Sequence, residues 1–520
     1  MNYKNRILDI LKSNDRAMLS SELQEALSLC YPNLKSDNAR KQLQLCKESD
    51  GIYKSKIKFE HGQLAYDYIP LGIGSPRFKD LVLQRKPLLS RVINRLRENN
   101  GVISYGEISK LCGCPITKSS SKTKSIENVI EELGMVLELR KQEYKGYHFV
   151  VNGIMDEKFL RNACNKIIED AWLDCKFIPS VLVWLQKANI MSEKPKYRNK
   201  NNPLKFREFN NLLWDAYGYS KATGFLHRNT AENDKFVPTF LEVKLYSIMT
   251  YDDVMGFYER VQIVINKAKS GKNNILPIIV TRTVEKEAER VIKNLGILHF
   301  NIAAIFGEHI FEVMNDVRKI NFFEALKSED KPKDIKEAIS NVLTKIDNSG
   351  QNVNLGNIKG ELFERIICDV SGQIFNRRTD MIKPSFKFGD YEYDILIETD
   401  KEYIVVEVKG WKSTSIIPWG EYDASTGKPE KETLKWFFDH KLPLIKKHLK
   451  ENYNKQKPVK ACYITTAKFE YKGEEEMKKI KKLVSNEIGL YYDGEALIKY
   501  LKEKGAKRDA EIIEKFYINV

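Results

Sequence analysis

The sequence predicts a multidomain α+β chain: two small helical domains, each closed by a β-hairpin, then two larger α/β domains. Three observations predict it. The chain has 520 residues, the length of roughly three to four domains. Before residue 152, apolar residues at helical spacing give way twice to alternating hairpins, and beyond it helices alternate with apolar strands. The order of elements after Pro203 also recurs after residue 357.

The first domain is expected over 1–72. Ile7, Leu8, Ile10 and Leu11 mark one helix, and Leu23, Ala26 and Leu27 mark a second capped by Ser20 or Ser21. A third starts near Ser36-Asp37 and runs through Ala39, Leu43 and Cys46. Lys54–Phe59 and Gln63–Ile69 alternate around His61-Gly62 as a hairpin. The third helix turns Arg40, Lys41, Gln44 and Lys47 outward, side chains that reach phosphates and base edges. After a loop at Pro70–Pro87 the pattern returns over 86–152. Leu88–Asn99, Tyr105–Leu111 and Ser125–Leu133 are helical, and Val136–Lys141 and Gly146–Val151 flank Tyr144-Lys145-Gly146. The serine- and lysine-rich run from Thr117 to Lys124 reads as a phosphate contact or as a flexible loop. Each three-helix-plus-hairpin set resembles a winged-helix domain, a fold that binds DNA and also serves protein interaction.

Residues 153–192 read as a connector of two or three helices. From 193 to 325 the expected order is a helix Leu204–Ala216, a strand Ala222–Arg228, a strand around Thr239 carrying Glu242-Val-Lys244, a helix Tyr251–Lys267, a strand Ile275–Val280, a helix Glu285–Leu295 and a strand Asn301–Phe306. After a linker at 326–357, the order recurs over 358–520. A helix Ile358–Val370 is followed by strands Gln373–Arg378, Tyr391–Ile397 and Tyr403–Gly410, a helix Glu430–Lys450, a strand Ala461–Thr465, a helix Glu474–Ser485 and a strand Gly489–Tyr492. The endings GEHIFEVM and GEALIKYL match, which suggests duplication. Each copy predicts a mixed sheet with helices on both faces.

The second copy concentrates the acids. Asp394 lies on one strand of a hairpin; Glu407 and Lys409 lie two apart on the next and share a face. Burying three isolated charges is costly, and a divalent cation between the carboxylates removes that cost. Hard oxygen ligands suit magnesium, which keeps waters for a phosphate substrate. Alone, the triplet also fits a solvated strand face with one salt bridge.

These residues resemble the PD-(D/E)xK nuclease superfamily, with Tyr393 in place of the usual proline. The landmarks Gly360…Phe363-Glu364, Asp394, Glu407-Val-Lys409, Ile464-Thr465-Thr466 and Asp493-Gly494…Leu497 resemble its Mrr-like restriction endonuclease branch. The resemblance implies two restriction-endonuclease-like domains and Mg²⁺-dependent hydrolysis of DNA phosphodiesters, with Mn²⁺ as a substitute, leaving 5′-phosphate and 3′-hydroxyl ends. Asp394, Glu407 and the Val408 carbonyl would hold the ion, and Glu364 would complete the acidic cluster. Lys409, its pKa lowered by burial and the ion, would orient or deprotonate the attacking water, or stabilise the developing charge. A long insert, Trp411–Glu432, reads as a substrate-facing loop or a surface excursion. The first copy looks degenerate. Counting back from Gly218 and Gly372 pairs Asn210 with Glu364, and no acid stands on a hairpin before Glu242 except Asp234 in a turn.

The net charge of +15 favours a polyanionic partner. Double-stranded DNA is the expected one, cut by a homodimer or a dimer formed on DNA, in restriction or anti-phage defence. Repair, junction resolution, or a non-catalytic DNA-binding subunit are the alternatives. No Walker A motif is present, so any ATPase would be a partner. Eight scattered cysteines, with only Cys112 and Cys114 close together, predict reduced thiols in a cytoplasm and no zinc site. No apolar run reaches the roughly 20 residues of a membrane span.

Overall fold

The computed structural model describes residues 3–115, 125–192, 194–220, 237–267, 275–325, 331–351, 354–374, 381–389, 391–453 and 457–519. The Thr117–Lys124 run, the strand expected at Ala222–Arg228, and Asp234 lie outside them. The chain divides into two compact units, Met1–Ile305 and Phe306–Val520, and is a multidomain α/β assembly with several sheets, two of them mixed.

The first unit opens with helices Tyr3–Lys12, Ser20–Cys30 and Ser36–Leu45 around Ile7, Leu11, Leu23, Leu27, Ala39 and Leu43, all buried. Their helical spacing makes one apolar stripe per helix. Strands Met18–Leu19, Ala65–Asp67 and Tyr53–Lys54 close the module as a small antiparallel sheet. The next module has helices Pro87–Glu98, Tyr105–Cys112 and Ile126–Gly134 and a sheet of Val102–Ser104, Leu139–Tyr144 and Tyr147–Asn152. Its hairpin turns at Lys145-Gly146, both with positive φ (51° and 76°), the pairing that a two-residue turn between twisted strands requires. The loop expected at Pro70–Pro87 instead holds a helix, Pro76–Arg85, started by Pro76 and capped by the Ser75 hydroxyl.

The connector is one helix, Glu157–Lys187, rather than several. Asp156 caps its start, and Pro179 lies within it. The helix expected at Leu204–Ala216 is a hairpin. Arg207–Phe209 pairs with Leu212–Trp214 through Asn210 and Asn211, and the chain continues into strand Ala216–Ser220. That strand belongs to a five-stranded sheet ordered Leu298–Asn301, Leu276–Thr281, Val237–Lys244, Ala216–Ser220, Lys196–Tyr197. The last three run antiparallel to their neighbours, and the first three are parallel. Asn301 ends its strand, and Ile302–Phe306 is helical.

The second unit repeats this sheet. Its order is Met381–Phe388, Tyr391–Glu398, Tyr403–Lys409, Val459–Thr465, Tyr491–Tyr492, antiparallel twice and then parallel twice. Helix Gly356–Ile374 covers one face. It takes in Gln373 and Ile374, where a strand was expected to begin. The expected linker carries helix Lys331–Asn348, packed against Ile310–Ala325, with Lys345 bonded to Asp316 (2.7 Å). The insert after Trp411 returns to the fold: Ile416–Ile417 pairs with Lys468–Phe469, and Trp419 is buried.

Candidate active site

The ladder between Tyr391–Glu398 and Tyr403–Lys409 ends at Ile395 opposite Val406. The next pair out would be Asp394 and Glu407. The backbone exchange stops there because the Asp394 carboxylate takes the strand amide instead: Val408 N–H donates to Oδ2 at 2.7 Å. Two residues along from Glu407, Lys409 returns to the same face. Its Nζ lies 2.9 Å from Glu407 Oε1 and 3.4 Å from Asp394 Oδ2. The structure thus brings Asp394, Glu407, Val408 and Lys409 together. Glu364 sits half-buried on helix Gly356–Ile374, next to Phe363, whose ring packs on Gly410 so closely that a β-carbon there would meet Phe363 Cβ at 2.9 Å. The charge of Glu364 also bears on Tyr517.

A fourth side chain was not legible in the motif. Lys441, from the π-turn Trp436–Lys441, donates to Glu407 Oε2 at 2.6 Å. Tyr393, the residue in the proline position, is buried and holds that turn by donating its hydroxyl to the Lys441 carbonyl at 2.9 Å. No fixed spacing marks Lys441, which lies 34 positions from Glu407 across the insert.

The electrostatics separate the two acids. Burial and then the charge of Glu407 push Asp394 above the ordinary aspartate range; Lys409, Lys441 and the Val408 amide offset only part of this. Burial also opposes the charged form of Glu407, but Lys409 and Lys441 outweigh it and hold that carboxyl low. Burial pulls Lys409 down, yet Glu407 and Asp394 overcome it and keep the ammonium well above the ordinary lysine value. Burial alone does not lower Lys409, because the two facing carboxylates outweigh desolvation.

Among the described residues no group of three or more Asp, Glu, His or Cys side chains converges. A cation here would rest on two carboxylates. Asp394 Oδ1 takes no hydrogen bond from the described residues, since both bonds to that carboxylate fall on Oδ2. An open oxygen on a partly exposed carboxylate, beside a second carboxylate, fits a hard divalent ion that retains waters.

The first sheet carries the same arrangement. Its ladder ends at Ala216 opposite Leu241, so Asp215 faces Glu242, and Val243 N–H donates to Asp215 Oδ2 at 2.8 Å. Asp215 is the acid expected to be missing. Asn210, expected to stand where Glu364 does, lies instead in a hairpin turn at φ 55°. Around Asp215 the partners differ. Lys110 Nζ, from helix Tyr105–Cys112, lies 3.0 Å from Asp215 Oδ1 and 2.5 Å from Glu242 Oε1. Arg260 donates to Glu242 Oε2 at 2.9 Å, as Lys441 does to Glu407. Lys244 pairs with Asp253 at 2.5 Å.

Arg40, Lys41, Gln44 and Lys47 are all exposed on one side of the first module, with Ala39 and Leu43 buried on the other. All eight cysteines are free, and Cys112 and Cys114 are buried. No helix among the described residues is long and apolar enough to cross a membrane.

No protein-family model matches the chain, and no curated protein matches it. Among solved structures it is similar to a repair endonuclease from Pyrococcus abyssi, 15% identical with a TM-score of 0.17; the match covers 31% of this chain and 60% of that one.

Proposed function

We propose that the protein is a metal-dependent DNA endonuclease whose active site is Asp394, Glu407 and Lys409, with Glu364 nearby and the Val408 carbonyl as a further ion ligand. The observation that carries this reading is the Asp394 carboxylate bonded to the Val408 amide while facing Glu407 and Lys409. A Mg²⁺ or Mn²⁺ ion held by the two acids would polarise the scissile phosphate and supply an activated water. Lys409, held charged, stabilises negative charge developing on the phosphorane oxygens and orients the nucleophile. Attack of water oxygen on phosphorus breaks the P–O3′ bond, and the released 3′ oxygen takes a proton. Glu407 is kept ionised by Lys441, and Tyr393 positions that lysine.

The N-terminal modules have the helix and strand order of winged helices, and the exposed Arg40, Lys41, Gln44 and Lys47 suit a DNA backbone. A role in restriction or anti-phage defence, with cutting by a dimer on DNA, is the finer form of this proposal. A second reading is favoured by one observation: Lys441 and Lys409 already balance Glu407, as the cations of a purely structural ion cluster would. The two readings part on one experiment. Supercoiled plasmid incubated with Mg²⁺ or Mn²⁺ is expected to be nicked or linearised by the native chain and left intact by Asp394→Asn and Lys409→Ala. Salt-sensitive DNA binding without cleavage under either ion would select the structural reading.

A further inference from the structure

The insert that follows Trp411 does more than return to the fold. Its base is fixed: Trp419 N–H donates to Glu470 Oε2 at 2.7 Å, and Lys472 donates to Glu421 Oε1 at 2.7 Å. Its tip folds back as a turn, with Tyr422 opposite Pro429. The Asp423 amide donates to the Lys428 carbonyl, and the Gly427 amide to the Asp423 carbonyl, both at 2.8 Å. Asp423 Oδ1 also accepts the Ser425 and Thr426 amides, at 2.8 and 3.1 Å. The tip is therefore a built wall. It shares a cleft of about 720 Å³ with Tyr391 and with the π-turn Trp436–Lys441. That volume lies within the ~300–1,000 Å³ of sites that bury a small molecule.

The lining selects one kind of occupant. Trp436 and Tyr391 supply an aromatic side, with ring centroids 6.3 Å apart. His440 joins them, 4.4 Å from Trp436 and hydrogen-bonded to the Tyr391 hydroxyl at 2.9 Å. Burial and then the charge of Lys428 hold the His440 ring below its ordinary value, so this side is neutral at pH 7. Glu392 and Glu430 also line the cleft, as do Lys428 and Lys431. A flat heterocycle stacks on aromatic rings whatever its identity. Carboxylates accept from an exocyclic amino group, and lysines take the phosphates attached to it. A phosphate alone would gain nothing from the rings and be repelled by the acids. The cleft also adjoins the acid pair, because Lys441 lines it and donates to Glu407 Oε2 at 2.6 Å. A base inside a duplex is stacked and paired, so one that enters has to be unpaired or turned out.

We propose that this cleft receives a single unpaired or extruded nucleobase bearing an exocyclic amino group, from the strand whose phosphate lies at Asp394 and Glu407. The proposal rests on the nuclease reading for the place of that phosphate. It adds a substrate class: DNA with an unpaired base beside the cut.

The test measures binding by the native full chain without divalent ions, so that no cutting intervenes. Labelled duplexes carry one extra central nucleotide, which is adenine, cytosine, thymine or abasic, or carry none. Fluorescence anisotropy is expected to show the adenine and cytosine bulges bound about tenfold more tightly than the abasic bulge, the scale of one base–aromatic stack. They should also bind more tightly than the thymine bulge. Trp436→Ala should bring adenine and abasic bulges to within about twofold, whereas Trp436→Phe keeps a ring and should keep the preference. That pair separates stacking from disturbance of the turn. Glu430→Gln should erase the margin of adenine and cytosine over thymine. Equal binding of adenine and abasic bulges by the native chain, or a preference that survives Trp436→Ala, overturns the proposal. So does free AMP that abolishes the preference at micromolar concentration, since the cleft would then take a free nucleotide. The nuclease reading fails separately. A chain that prefers the adenine bulge but never cuts plasmid with Mg²⁺ or Mn²⁺ keeps the cleft and loses the nuclease; one that cuts without any preference does the reverse.

Discussion

Asp215 and Asp394 each stand one residue beyond the last ladder pair, opposite a glutamate, in sheets of the same strand order. Burial works against both charges. At Asp215, Arg198, Lys110 and the Val243 amide outweigh burial and hold the carboxyl below the ordinary range. At Asp394, burial and Glu407 prevail and raise it. One register position therefore yields an aspartate held ionised in one sheet and an aspartate pushed toward its protonated form in the other. The difference lies in what neighbouring elements insert, not in the strands.

Loss of cleavage is the largest effect expected to separate the sheets. Lys409→Ala should lower single-turnover nicking of plasmid DNA by about 10²- to 10³-fold, the cost of removing one preorganised charge from a developing oxyanion. Lys244→Ala should leave the rate within about twofold, since Lys244 shares no partner with that site. Equal losses from both would erase the contrast; loss from Lys244→Ala alone would invert it.

Stability should move oppositely at the paired aspartates. At neutral pH Asp215→Asn breaks a buried cluster with Lys110 and Arg198 and is expected to cost about 3–5 kcal/mol. Asp394→Asn retains an acceptor for the Val408 amide, relieves the repulsion with Glu407, and should raise stability. The signs follow from linkage. The depressed Asp215 contributes stability that is present above the unfolded aspartate pKa and lost as pH falls through its folded value. The raised Asp394 contributes stability present below the unfolded pKa and lost as pH rises through its folded value. Hydrogen exchange over Val237–Lys244 and Tyr403–Lys409 reports each sheet separately. Both substitution effects should shrink on acidification, and effects of the same sign would refute the linkage argument.

The second sheet was legible because its evidence is local. An apolar hairpin and an acid two residues before a lysine can be read from one stretch of chain. Asp215 escaped because Leu212-Leu213-Trp214 is a short apolar run, which periodicity alone cannot assign to helix or strand. The signal that would have settled it was Asn210-Asn211. Both residues have positive φ (55° and 63°), and the pair forms a two-residue hairpin turn of the kind asparagine favours. Lys110, Lys441 and Arg198 were illegible for another reason. Each arrives from a separate element, and side chains that meet only through packing leave no fixed spacing in the sequence. The 31-residue helix Glu157–Lys187 was split in reading because Pro179 lies inside it.

The strand ends offer a finer contrast. After Lys244, the amides of Leu245 and Tyr246 donate to the buried Asp174 carboxylate at 2.9 and 3.2 Å. After Lys409, Phe363 packs on Gly410 instead. Burial raises Asp174 to about 7, only partly countered by Arg198 and the Leu245 amide. Its contribution to stability is thus full below the ordinary aspartate pKa and lost as pH rises through about 7. Asp174→Asn keeps an acceptor for both amides, so its melting temperature relative to the native chain should climb by a few degrees between pH 5 and pH 8, about 2–4 °C per kcal/mol for a unit of this size. A constant offset across that range would place the proton elsewhere.

The two N-terminal modules extend the comparison and give the smallest effect. The second module spends its helices on packing: Arg91, Arg95 and Lys110 are all committed to acids of the first sheet domain. The first leaves Arg40, Lys41, Gln44 and Lys47 exposed. If the first module holds duplex DNA through phosphates, neutralising Lys41 removes about one released counterion. The slope of log K against log salt should then fall by about 0.9 while specificity is unchanged. Lys41→Ala should weaken binding several-fold at low salt and progressively less as salt rises. Fluorescence anisotropy with a labelled duplex, titrated at several salt concentrations, measures both quantities. Substituting an exposed lysine elsewhere on the chain, such as Lys499, serves as the charge-matched control. A slope that changes equally for both would mean that net charge, rather than the face beside Ala39 and Leu43, attracts the DNA.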